Sequence, residues 1–130
     1  MKLCIFLCIF FISSFSFAAP EIATEEYRKL IYHIDMAALR YQQFEIEKSL
    51  WEIYNKKEDK SFTEIKQLKE CEIQMETYFI KTSTHIIQGA TLHEKLSEEE
   101  KVKIRAYVNQ SFSEGQIRYF GDFLRAIGML

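Results

Sequence analysis

The side chains with the most chemistry to offer are the histidines His33, His85 and His93 and the one cysteine of the body of the chain, Cys71. A zinc or di-iron centre needs several such ligands converging on one point. None of the histidines stands in HxxxH, HExxH or ExxH spacing. His33 and Asp35 are two residues apart and so leave a helix on different faces. His85 is expected on the polar side of its helix and His93 in a loop. Carboxylates recur as Glu45 with Glu52 and Glu72 with Glu76. A glycosidase pair must face each other across a cleft with pKa values pushed apart; solvated helix faces account for these glutamates far more readily. No GxSxG elbow is present, and no histidine neighbours Cys71 to activate it. The glycines Gly89, Gly115, Gly121 and Gly128 are scattered and build no phosphate-cradling loop. Asn109-Gln110-Ser111 matches the glycosylation triplet but falls inside an expected helix and is set aside. The sequence therefore predicts a protein that is not an enzyme, with no catalytic, cofactor-binding or metal-binding residues.

The elements that carry these residues begin with a leader. Lys2 opens a minimal positive region, Leu3 to Ile12 are apolar, and Ser16-Phe17-Ala18 supplies small residues for cleavage after Ala18. Residues 1–18 read as a secretory signal peptide, shorter than the ~20 residues of a membrane span. Residues 19–130 are expected as a single all-α domain, periplasmic or secreted, with no stable membrane anchor after cleavage. Cys4 and Cys8 leave with the leader, so no internal disulfide is available to the mature chain. Cys71 is expected either buried as a small apolar side chain or bridged to a second molecule. With 17 basic and 19 acidic residues and no basic tract, nucleic acid is not an expected partner.

From Thr24 to Gln88 there is neither proline nor glycine. A first helix is predicted over Glu25–Asn55, about 46 Å long at ~1.5 Å per residue, with Thr24 as its cap. It bears two apolar stripes on nearly opposite sides. Tyr27, Leu30, Ile31, Ile34, Ala38 and Tyr41 form the first; Glu45 and Glu52 continue its line, so it turns polar where its partner should end. Tyr32, Met36, Leu39, Gln43, Ile46, Leu50 and Ile53 form the second, alternating four and three like a heptad seam with one polar member. Such spacing serves an intramolecular helix pair or an interface with another chain. With Trp51 and Tyr54, these seven residues are the candidate interface. Tyrosine and tryptophan are enriched at interfaces, although the same rings also fill cores.

A polar run, residues 55–60, makes a loop. Ser61 with Glu64 forms a capping box for a second helix, Phe62 to about Gln88. Ile65, Leu68, Met75, Phe79 and Ile86 are its main stripe, widened by Phe62, Ile73, Ile80 and Ile87. Gly89 is expected to end it in the left-handed conformation. Ser97 with Glu100 caps a third helix to about Phe112. Ser113 to Gln116 marks a break, and a fourth helix spans Gln116–Ile127, ended by Gly128. The fold predicted is a small four-helix bundle built on a long antiparallel hairpin.

In size, export and fold class the chain resembles small exported immunity proteins that neutralise cell-wall-degrading toxins. It shares no motif with them and lacks the cysteine pairs some of them carry. Fold class alone does not imply function. The functional expectation is a non-enzymatic protein acting through protein–protein binding, as an inhibitor or immunity-type protein in the periplasm does. A homodimeric structural bundle and an apolar-ligand carrier are the alternatives, so the partner is an unknown protein or the chain itself.

Overall fold

Each helix starts on a side chain that satisfies its free N–H groups. In the computed structural model, which describes residues 23–118 and Gly121, the regular elements are α1 (Glu25–Asn55), α2 (Phe62–His93) and α3 (Glu98–Ser111). The described chain is all-α. Thr24 Oγ1 accepts from the Tyr27 N–H at 3.2 Å, and Glu25 and Glu26 complement the dipole of the first turn. Ser61 caps α2 through a complete box: its Oγ accepts from Glu64 N, and Glu64 Oε2 accepts from Ser61 N at 2.9 Å. Lys57 reaches from the loop to the same Glu64 carboxylate. Lys57 and then the Ser61 donors hold Glu64 down to a pKa of about 2. Ser97 and Glu100 repeat the box at α3.

The middle of α2 is rich in hydroxyls that would compete with a helix if left free. They fold back instead: Thr77, Thr82, Ser83, Thr84 and Thr91 each donate to the carbonyl four residues earlier. The helix therefore persists through a polar stretch.

α1 and α2 run antiparallel. Leu30 meets the position of Gly89, His33 meets His85, Phe44 meets Phe79 and Trp51 meets Glu72, so numbers rise along one helix as they fall along the other. The contact line on α1 is chiefly the strip between its two apolar stripes. Small side chains make that choice possible. Ala37 is 1% exposed and Thr82 0%, and Cys71 and Gly89 are also buried. Small residues let two backbones approach closely, after which the larger residues on either side close over the seam.

Gly89 departs from expectation. α2 does not end near Gln88 but continues through Gly89 to His93. A Cβ there would stand 3.3 Å from Leu30 Cδ1 and 3.7 Å from His33 Cβ. The position uses the missing side chain, for helix–helix approach, rather than backbone freedom.

α3 lies over the first half of α1's first stripe, where that stripe is still apolar. Leu30, Leu96 and Ile104 form the buried cluster, with Tyr27, Ile31, Ile34 and Leu92 packed against it. Two polar ties fix the arrangement. Thr24 Oγ1 donates to Glu100 Oε1 at 2.5 Å, and Tyr107 donates to Asp35 Oδ1 at 2.5 Å. Glu100 thus joins the cap of α3 to the cap of α1. Phe112 turns extended, and Ser113 caps a further turn over 114–118, so Gly115 sits after the break rather than making it. The leader, 1–18, and most of the expected fourth helix, with Gly128, lie outside the described residues.

Candidate interaction surface

The second stripe of α1 stays in solvent along its length. Tyr32 is 55% exposed, Leu39 45%, Ile46 54%, Leu50 39% and Ile53 60%. Met36 and Gln43 are half-buried between them. These seven residues share one face because their four-and-three spacing keeps returning to the same side of the helix. α2 adds exposed apolar residues of its own, among them Phe62, Ile73, Ile80 and Ile87.

The two remaining interface candidates lie elsewhere. Trp51 turns toward α2, where its indole N–H donates to Glu72 Oε1 at 3.1 Å. It lines an open trough with Phe44, Met75 and Phe79. A small-molecule site usually buries most of its ligand, and this trough is open to solvent. Tyr54 is half-buried near the loop.

Beside the exposed stripe runs a polar strip that sequence spacing did not reveal. His33 and His85 meet across the seam with Nδ1 atoms 3.0 Å apart, one ring donating and the other accepting. The ring of Tyr32 stands edge-on to both, with centroids 5.3 and 6.0 Å away. Burial first, then His33 and Arg40, lower the pKa of His85. His85 is therefore not on a solvated polar face, as its position opposite the apolar stripe suggested. Among the described residues no three of His, Cys, Asp and Glu come together as metal ligands do.

Arg40 is the least satisfied group of this strip. Its Nη1 donates to Gln43 Oε1 at 2.9 Å, while its Nε is buried with no acceptor. Among the described residues no carboxylate forms an ion pair with it. A half-buried cation without a counterion costs free energy that a carboxylate would offset.

Cys71 is buried and free. Burial, then the neighbouring Glu47, pushes its thiol pKa up, which keeps it protonated and poorly nucleophilic. Among the described residues no helix is long and apolar enough to cross a membrane.

The His33–His85 contact could have been found in the sequence. Leu30, His33, Ala37, Arg40, Phe44 and Trp51 follow a seven-residue repeat, as do Cys71, Met75, Thr82, His85 and Gly89. Their mixed polarity hid a seam that hydrophobicity alone does not mark. Comparisons with protein families, with curated proteins and with solved structures find no match to this chain.

Proposed function

We propose that this chain is a small exported binding protein without catalytic activity. In this reading the signal peptide is removed and the mature chain is a four-helix bundle of the periplasm or the secreted space. It works by protein–protein contact through the outer face of α1, in the manner of an inhibitor or immunity-type protein. One observation carries the reading: Tyr32, Leu39, Ile46, Leu50 and Ile53 stand exposed in one row. Soluble monomers rarely leave apolar patches larger than a few hundred Å² uncovered, and larger ones mark interaction sites.

The test compares the immobilised mature chain, from Ala19, with a Leu39→Asp, Ile46→Asp variant in envelope extract, by quantitative mass spectrometry. Both positions are exposed, so the variant keeps its far-UV helix signal. The expected result is a specific protein, or the chain's own tagged copy, retained by the wild type and lost by the variant. Identical retention profiles for the two chains would refute the use of this face.

A further inference from the structure

We propose that the occupant of the outer face of α1 is a second copy of this chain, docked antiparallel about a two-fold axis close to Gln43. The proposal rests on the reading that this face is an interface and commits it to one partner. Charge complementarity along the stripe singles out this occupant.

The stripe from Tyr32 to Ile53 alternates four and three almost symmetrically about Gln43. A two-fold pair presents the same patch from both copies, so such a near-palindromic stripe can meet itself head to tail. One register sets Leu39 against Leu50 of the second copy, Met36 against Ile53, and Gln43 against Ile46. It also decides what lies beside the seam. On the flank nearer α2, Arg40 faces Glu47 of the second copy; on the opposite flank, Asp35 faces Lys56. The two-fold repeats both pairs. Arg40, half-buried and without a carboxylate partner among the described residues, thereby gains the counterion it lacks. The antiparallel registers one heptad away set Arg40 against Arg40 or Glu47 against Glu47, opposing like charges.

A parallel pair would set Gln43 against Gln43, an arrangement in which a buried amide pair fixes register. Here Gln43 Oε1 is already occupied by Arg40, so that amide pair is not free to form. Glu47 is half-buried on the same flank as Arg40 and lies beside the Cys71 thiol of its own chain; that neutral neighbour leaves its negative charge to face Arg40 of the second copy.

The experiment is light scattering after size exclusion, with reductant present so that Cys71 contributes no bridge. Five mature chains are compared: wild type, Arg40→Glu, Glu47→Arg, the double reversal, and Ile46→Asp with Leu50→Asp. The wild type is expected to be a dimer at about 100 µM, within the affinity range of ordinary non-obligate pairs. Each single reversal is expected to weaken the dimer at least about tenfold, because it opposes like charges twice. The double reversal is expected to restore it. Ile46→Asp with Leu50→Asp, both exposed in the folded chain, should give a helical monomer and guards against a charge variant that fails to fold. A monomeric wild type overturns the second copy while leaving the outer face to be judged by the retention test above. A dimer indifferent to the reversals, or one that survives Ile46→Asp with Leu50→Asp, overturns the proposed docking.

Discussion

Leu30 is the residue at which all three helices meet, so it tests the arrangement most sharply. It is 3% exposed and clusters with Leu96 and Ile104, and its Cδ1 lies 3.3 Å from where a Cβ on Gly89 would stand. Leu30→Ala removes three carbons. At ~0.8 kcal/mol per buried methylene the transfer loss is roughly 2.4 kcal/mol, and the cavity raises the expected cost within a range of about 2–5 kcal/mol. Gly89→Ala in the wild type has two opposed effects. Helix propensity favours alanine by ~1 kcal/mol. Against this, the new methyl crowds a leucine that Leu96 and Ile104 hold in place, and overpacking costs about 1–3 kcal/mol. The single variant should therefore be no more stable than the wild type, and up to about 2 kcal/mol less so. In the Leu30→Ala background the crowding disappears, leaving only the ordinary 3.7 Å contact with His33 Cβ. There Gly89→Ala should stabilise by about 1 kcal/mol. Urea unfolding of the four chains, followed by far-UV circular dichroism, closes the double-mutant cycle. The expected coupling is about 1–3 kcal/mol. Additivity within about 0.5 kcal/mol would refute the close approach of Gly89 to Leu30.

The remaining predictions concern the histidine seam and the caps. Because the folded state lowers the pKa of His85 from its ordinary 6.5, the unfolded chain takes up the proton first. That stability is present above pH 6.5 and is lost as pH falls through the lowered value. A Tm-against-pH curve should fall on this flank and be flatter for His85→Gln; identical slopes would dismiss the pair as a titrating contact. Lys57→Ala should move the carboxyl pKa of Glu64, now about 2, back toward the ordinary carboxylate range in an NMR titration, and no movement would remove Lys57 as the main cause. Ser97→Ala should cost about 1 kcal/mol by denaturant unfolding, since Ser97 Oγ is the acceptor for Glu100 N; a loss below about 0.3 kcal/mol would make the cap idle.

What the sequence made legible was local. The capping boxes at Ser61 and Ser97 close between residues three apart, so the starts of α2 and α3 could be written down before any packing was known. α1 was bounded for the same reason, by Thr24 and by the polar run after Tyr54. The first stripe's change from Tyr41 to Glu45 marked where its partner ends, and α3 lies over the apolar half; that the partner is α3 came from the packing. The exposed row from Tyr32 to Ile53 was visible as a heptad repeat, but a repeat does not say which side of a helix meets which neighbour.

That decision belonged to the tertiary structure. α1 carries more apolar surface than one antiparallel partner can cover, so hydrophobicity left its orientation open. Close approach settled it. Ala37 on α1 and Cys71, Thr82 and Gly89 on α2 are small enough to bring the axes together, and they drew His33, Arg40 and His85 into the seam. This took Gly89 from helix terminator to contact point and left Arg40 without a carboxylate among the described residues. The repeats that carry these residues were present in the sequence, but that they form the seam could not be read along the chain, because the residues that decide it lie on two different helices. Only the packed fold brings them into contact.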